Sequence, residues 1–397
     1  ARGWGPGAQS TIWADFWTTS PASPSALPDP NKLPNTSVNS GISPANITSN
    51  RDLWGYNDND HENLNATLSL DYSFKAIKGL SAKAFVNYLK DNGTVSTFSK
   101  TFMTYNYDYA SNIYTPAATK ANSSLNIQKA DGRTVTTQLS VNYENTVAEA
   151  HNLSALLLYE SMDIKSNWIR AQREGFLTNE IDQLFAGSRE SMLSDGAAEE
   201  MGRASYIGRF TYDYQNRYLF ETTFRADASA KFAASQRWGF FPSISAGWRI
   251  SQEPFLRESD IVDDLKIRAS YGKSGNDNVG NFQYLSGYAF SDTYIYEGTR
   301  IEQGILTTGL ANPNLTWEEV EVSNIGVDFR LFNNKVYGEL EGFYRKRTGI
   351  PATRLATLPS TFGAALPQEN INSLTNRGFE LLLGTSGNVS GLKWDIS

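Results

Sequence analysis

"RWGFFPSISAGWRIS", residues 237–251, combines two features that a soluble core strand rarely carries together. Ile244, Ala246, Trp248 and Ile250 alternate with Ser243, Ser245, Gly247 and Arg249. Successive side chains of a strand point to opposite faces, so this one would have an apolar face and a polar, charged one. Arg249 therefore calls for water on one side of the strand while Trp248 calls for an apolar medium on the other.

The same period of two recurs from about residue 62 onward. In "NLNATLSLDYSF", Leu64, Ala66, Leu68, Leu70, Tyr72 and Phe74 oppose Asn65, Thr67, Ser69, Asp71 and Ser73. "TVTTQLSVNYEN" repeats the pattern with Val135, Leu139, Val141 and Tyr143 on the apolar side. "YIGRFTYDY" sets Phe210, Tyr212 and Tyr214 against Arg209, Thr211 and Asp213. "YLFETTFRAD" sets Tyr218, Phe220 and Phe224 against Glu221, Thr223, Arg225 and Asp227. "LKIRASYG" sets Leu265, Ile267, Ala269 and Tyr271 against Lys266, Arg268 and Ser270, and "NRGFELLLG" closes the series with Phe379, Leu381 and Leu383.

Between these segments short and long connections alternate. Short ones are expected near 76–79, 148–150, 215–217, 333–334 and 386–390, with a longer one at 252–260. Long ones cover roughly 91–131, 163–202, 274–313 and 347–373, and 228–236 is a brief exception. About twelve strands result. Turn chemistry fixes two registers. An Asn333-Asn334 loop, whose residues tolerate positive φ, would pair Leu331 with Val336, Phe329 with Gly338 and Val327 with Leu340. Keeping Tyr214 and Tyr218 on one face needs instead the three-residue loop Gln215-Asn216-Arg217. Residues 1–60 lack periodicity, are rich in Pro, Ser and Asn, and read as a long outer loop whose Trp4, Trp13, Phe16, Trp17, Trp54 and Tyr56 argue against simple disorder.

Composition narrows the setting. Mean hydropathy is −0.43, and no apolar run approaches the ~18 residues of a spanning helix, the longest patch lying at 153–159. Helical membrane proteins are thereby excluded, whereas membrane β-barrels are not, because alternating strands average to neutral hydropathy. The 20 Tyr, 21 Phe and 9 Trp suit a strand-rich protein with interfacial aromatic belts. With no cysteine and two histidines, clustered zinc or iron sites have no ligand set. A net charge of −7 without long single-sign runs offers no footprint for nucleic acid. "ARGWGPGAQS" has neither the charged start nor the apolar core of a signal peptide, so the chain is expected to begin within a longer protein.

Two architectures fit the alternation. A soluble β-sandwich would hide the apolar face against a second sheet. A membrane barrel would turn it to lipid and line a polar lumen with the other face. The length of the strands, the Tyr and Trp near their ends, and the alternation of short turns with long loops favour the barrel.

"RWGFFPSISAGWRISQEPF" resembles the signature strand of the SusC/RagA-like branch of TonB-dependent outer-membrane transporters. "YIGRFTYDYQNRYLFETTFRADASAKF" is similar to the hairpin that precedes it in that family, and "LKIRASYGKSGNDNVGNFQY" to the strand and loop that follow. "NPNLTWEEVEVSNIGVDFRLFNNKVYGELEGFYRKRTGI" and "NRGFELLLG" resemble the next two hairpins, so the likeness covers most of 62–397. Ala228 departs from it, standing where the family pattern usually has glycine. The resemblance implies an all-β, antiparallel transmembrane barrel of which these strands are a part. Nothing in the chain resembles the family's plug or its TonB-engaging motif, and about twelve strands fall short of the roughly 22 of such barrels. An internal fragment ending mid-strand at "LKWDIS" is expected, with 1–60 an extracellular loop region and 61–397 the barrel strands. In a closed barrel without edges, Pro242 calls for a bulge beside Phe241.

What the resemblance implies for function is import of a nutrient, an oligosaccharide or a peptide, across a bacterial outer membrane. The partners it implies are a SusD-like surface lipoprotein, TonB acting through a plug outside this chain, and outer-membrane lipid; it allows a homodimer. An outer-membrane barrel without import function, a channel component of a protein-export machine and a soluble β-rich adhesin are the alternative readings. No cofactor, metal or enzymatic role is expected. "YNDNDHEN" gathers Asp58, Asp60, His61 and Glu62 without calcium-loop spacing, "GKSGN" lacks the phosphate-loop frame, and Ser245 lacks a nucleophile elbow. His151 is expected at a periplasmic turn. Arg209, Asp213, Glu221, Arg225, Asp227, Arg249 and Arg268 are expected to line the lumen, paired and wet. Trp13, Trp17, Trp54 and Trp168, in the outer loops, have the flat faces to stack on sugar or peptide; they would equally serve to hold their own loops together.

Overall fold

A computed structural model describes residues 2–3, 27–35, 55–120, 122–298, 300–355, 359, 364–389 and 392–396. Among them the strands are β1 (Arg2–Gly3), β2 (Leu33–Pro34), β3 (Gly55–Ser73), β4 (Leu80–Ser99), β5 (Phe102–Asp108) and β6 (Ile113–Lys120). There follow β7 (Ser124–Val147), β8 (His151–Glu174), β9 (Leu193–Tyr214), β10 (Tyr218–Ser229), β11 (Trp238–Arg249) and β12 (Val262–Asn276). The last are β13 (Tyr288–Tyr296), β14 (Arg300–Thr307), β15 (Glu318–Leu331), β16 (Val336–Thr353), β17 (Gln368–Val389) and β18 (Leu392–Ile396). Thirteen form one sheet in the order β1-β3-β4-β7-β8-β9-β10-β11-β12-β15-β16-β17-β18. β1 is two residues long, so the sheet matches the expectation of about twelve strands.

The chain divides into two compact units. One comprises Ala1–Ala66, Tyr88–Thr134 and Ile164–Glu200; the other comprises Thr67–Asn87, Val135–Asp163 and Met201–Ser397. In the first, Phe98, Leu125 and Phe176 form a small core, with Tyr56 tilted against Phe98 at 5.9 Å. The Tyr56 hydroxyl donates to Asp182 (2.7 Å). A three-stranded sheet, β2-β5-β6, also belongs to it. In the second unit, Phe232, Val279 and Leu315 cluster with Trp317, and Phe241 meets Trp317 edge to face at 5.4 Å.

Turn chemistry sets the register. Phe332, Asn333 and Asn334 all have φ of 58°, and the Lys335 N–H donates to the Phe332 carbonyl (3.4 Å). Asn333 and Asn334 thereby supply the positive φ values that the two central residues of a primed hairpin turn require. Leu331 then pairs with Val336, Phe329 with Gly338 and Val327 with Leu340, as the side chains demand. At 215–217, positive φ at Gln215 and Asn216 returns Tyr218 opposite Tyr214. The 148–150 turn repeats this device with Ala148 and Glu149. At Gly79, φ is +85° and an added Cβ would sit 1.8 Å from the Glu144 carbonyl oxygen, so only glycine fits.

Three expectations are corrected. No bulge accompanies Pro242: β10 pairs with β11 without a register shift, Phe224 opposite Pro242 and Arg225 opposite Phe241. The proline instead stands just past the end of the β11–β12 ladder, whose last pair is Ser243 with Gly272, where no further bond to β12 is asked of it. The turn expected at 386–390 is displaced, because β17 continues to Val389, which pairs with Leu392. Finally, the long connections are shorter than alternation suggests. β4 runs on to Ser99, β8 to Glu174, and β9 begins at Leu193. Where both faces of a strand meet water, apolar residues cease to alternate and the strand becomes invisible to a period-two reading.

The apolar face of the sheet is not covered. Ile325 is 63% exposed, Phe240 59% and Phe379 80%. A sandwich would bury these residues; soluble proteins rarely leave apolar patches so extensive in water. The face is bordered by aromatics. Trp248 and Tyr218 stand opposite one another near the short turns, and Tyr218 stacks on Tyr214 at 6.2 Å. His151, opening β8, joins them, 4.7 Å from Tyr214 and 2.9 Å from the Tyr212 hydroxyl. Ten residues up β11, Trp238 stacks on Tyr206 at 5.8 Å. Ten residues span about 33 Å along a strand. At the tilt of about 40° usual in outer-membrane strands this is about 25 Å of height, the thickness of their apolar band.

Candidate functional site

The opposite face is a continuous field of ion pairs. Cross-strand pairing places Asp213 beside Leu219, Glu221 beside Ser245, Gly247 beside Arg268 and Lys266 beside Asp328, all on one side of the sheet. The Arg209 guanidinium donates to Glu221 (2.8 Å). Arg225 donates to Asp227 from two nitrogens (3.1 and 3.0 Å). Arg249 lies 3.7 Å from Asp264. Asp213 accepts from the Asn216 N–H (2.9 Å) and the Asn152 amide (3.2 Å). By register the seven residues expected to line a lumen share this one side of the sheet.

Arg268 is the densest node. Its guanidinium donates to Asp328 (3.1 Å), reaches Glu341 (2.6 Å) and also pairs with Glu339. Lys266 donates to the same Asp328 (3.2 Å). The guanidinium lies over Gly326, directly opposite Arg268, where an added Cβ would fall 2.8 Å from the guanidinium carbon and push it aside. Lys266, Asp328, Glu339 and Glu341 were missed as site residues; Lys266 shares the parity of Arg268 on β12, but the other three reach it only through the β12–β15 pairing, which no sequence turn fixes. A concavity of about 410 Å³ opens above this wall, lined by Thr211, Asp213, Glu221, Ser245, Lys266 and Arg268 among others. Charge of both signs, hydroxyls and absent bulk make a surface that holds water and can exchange hydrogen bonds with a polar solute. No residue here has the arrangement of a nucleophile and base.

Two further charged groups tie connections to the sheet. Asp277 accepts from Arg203 (2.7 Å) and from the Ser229 hydroxyl (2.8 Å), while Lys231 donates to its backbone carbonyl (3.1 Å). At the short-turn side, buried Glu253 accepts from the Tyr218 hydroxyl (2.6 Å), the Trp248 indole N–H (3.1 Å) and Arg217 (3.3 Å). The Tyr218 hydrogen bond, seconded by Trp248 and Arg217, holds the Glu253 carboxyl below its ordinary pKa against the opposing pull of desolvation.

Of the aromatic residues expected to touch cargo, Trp13, Trp17 and Trp54 lie outside the described residues. Trp168 is placed in β8 and not in a connection, its carbonyl oxygen facing Gly196.

Residues 3–397 match the family described as "TonB dependent receptor-like, beta-barrel". The chain belongs to that family. TonB-dependent receptor P3 of Formosa agariphila is 31% identical over 256 residues, which is 64% of this chain and 25% of that protein. TonB-dependent receptor SusC of Bacteroides thetaiotaomicron is 36% identical over 204 residues, 49% of this chain and 19% of SusC. The chain thus spans about a quarter or less of the length of these relatives. Among solved structures, the RagAB peptide importer in its closed-closed state superposes with a TM-score of 0.70 at 22% identity, over 84% of this chain and 35% of that one. The strands are therefore part of a TonB-dependent receptor-like β-barrel of the outer membrane, a family of receptors, and their fold is similar to that of the RagAB importer.

Proposed function

We propose that these strands form part of the wall of a TonB-dependent importer that carries an oligosaccharide or a peptide across the bacterial outer membrane. The observation that carries this reading is the two-faced sheet. One face bears an apolar band about 25 Å high between aromatic borders; the other bears the ion-pair field centred on Arg268. Such a wall separates lipid from a wet path. Its charges are already partnered by one another, so a passing polar solute meets replaceable hydrogen bonds and no deep electrostatic trap. A SusD-like lipoprotein would lid the outer mouth, and TonB would act through a plug contributed by other parts of the protein. RagAB is described as a peptide importer, which keeps peptides in the cargo panel beside glycans.

The test is uptake by cells lacking the full-length gene, measured against a panel of labelled oligosaccharides and peptides. Uptake of one class falls at least tenfold and returns on complementation if the reading is right. Unchanged uptake of every member would overturn it in favour of a barrel with another task.

A further inference from the structure

Above the ion pairs around Arg268 the polar face changes character, to uncharged groups around a single uncommitted arginine. The ladders of β16 run without a register shift from Val336 to Arg347, so Phe343 and Arg345 lie on the same side as Glu339 and Glu341. Arg345 is exposed and stands between Val322 of β15 and Asn376 of β17. Arg347, two positions further up, is committed to Glu318, as Arg268 below is to Asp328, Glu339 and Glu341. Arg345 has no carboxylate within ion-pair distance among the described residues. None stands opposite or diagonal to it either, the diagonal positions being Val320, Asn324, Leu374 and Gly378.

The groups beside it suit a ring rich in hydroxyls. Two positions nearer the short turn, the half-buried Phe343 ring extends over Gly378, where an added Cβ would meet it at 3.0 Å. Asn324 stands opposite Phe343 on β16 and opposite Ser270 on β12, and Ser270 stands opposite Ser245. The Asn324 side-chain oxygen is shielded and accepts no hydrogen bond among the described residues. Shielded acceptors are normally partnered, so this one calls for a donor from outside these strands. The concavity of about 410 Å³ reaches the row at Ser245, Ser270 and Asn324. In the row above, Ser243, Gly272 and Val322 lead across to Arg345. With strands about 4.8 Å apart, the two rows extend about 14 Å from β11 to β16. A hexuronate matches every part of this surface. Its carboxylate fits the planar guanidinium fork, and its hydroxyls donate to Asn324 and exchange hydrogen bonds with the serines. The C–H face of its ring lies against the negative π face of Phe343. An acidic peptide matches the fork but brings few hydroxyls to the serine rows.

We propose that Arg345, Phe343 and Asn324 form a binding site for a hexuronate residue of an imported oligosaccharide. The proposal rests on the reading of the chain as part of an importer and narrows its cargo to acidic glycans. It is tested by calorimetric titration of the full-length protein, purified in detergent, with tetrasaccharides of galacturonate, glucuronate and mannuronate. Each is compared with the same tetrasaccharide after reduction of its carboxyls to alcohols. The wild type binds at least one uronate at least tenfold more tightly than its reduced, uncharged form. R345Q loses that preference, whereas R377Q, altered beside Tyr344 on the apolar face, keeps it. F343L, which leaves the charge in place, binds the same uronate at least threefold more weakly and carries the test alone should R345Q fail to fold. A wild type without preference for any uronate would overturn the proposal, as would an undiminished preference in R345Q or unweakened binding by F343L. Tetraglutamate bound as tightly as the best uronate would overturn it too. Loss of uptake confined to neutral glycans or peptides in cells lacking the gene would contradict this site and leave the importer reading standing.

Discussion

Arg268 shows what the polar face asks of one side chain. It satisfies Asp328, Glu339 and Glu341 together, and Glu380 stands directly across from Glu341. Removing the guanidinium would leave several carboxylates facing one another. Fully exposed pairs contribute up to about 1 kcal/mol and buried ones several times that. With its side chain about a quarter exposed, R268Q is expected to cost about 1–2 kcal/mol, read from urea unfolding in detergent micelles. Glu253 makes a pH-dependent contribution. Because its carboxyl is held below the ordinary value, the stabilisation is fully present above the unfolded-state pKa and is lost as pH falls through the lowered folded value. Melting temperature should therefore fall on acidification, and E253Q should flatten that fall while lowering the melting temperature at pH 7. An acid slope identical in wild type and E253Q would remove Glu253 from the account. Which residues would bear charge on the polar face was legible in the sequence, since Arg209, Glu221 and Arg249 sit at the expected parity. The partners of Arg268 were not, because they come from strands 60 or more positions away.

At the scale of elements, the short turns hold register and the two faces hold the strands in place. Asn334 at φ 58° predicts that N334G is neutral, while N334V costs about 1–2 kcal/mol, as β-branching makes the left-handed region unfavourable. Refolding yield into micelles, followed by heat-modifiable gel migration, checks both. The faces predict a sharper asymmetry. I325R, in the outward band of β15, should cost about 2–4 kcal/mol near the bilayer centre, whereas S245R, on the wet face of β11, should be tolerated within about 1 kcal/mol. Turn chemistry and period two made the main sheet's hairpins between β9 and β17 readable from residues alone, whereas the β13–β14 hairpin lies in a stretch that reads as a long connection. The same logic failed in three instructive places. Pro242 is accommodated by a ladder that stops and not by a bulge, which depends on where β12 diverges. β17 outlasts the Ser386-Gly387-Asn388 signal because β18 pairs with it. Trp168 and the upper ends of β7 and β8 look like loop because water on both sides erases alternation.

For the whole molecule, the proposed arrangement puts lipid on the aromatic-bordered side and a wet path on the side of the ion pairs, and membership in a β-barrel family supports it. The chain carries no cysteine, so single cysteines can be placed without removing native ones from it. The most direct measurement puts them one at a time at residues 243–248 of the full-length protein in proteoliposomes. Each is then exposed to a charged, membrane-impermeant maleimide, and parallel spin-labelled samples are collided with molecular oxygen. Positions 243, 245 and 247 should react with the maleimide, and positions 244, 246 and 248 should be shielded from it and most accessible to oxygen. Equal maleimide reactivity along the whole run, or the opposite parity, would contradict the assignment of the two faces and with it the proposed wall.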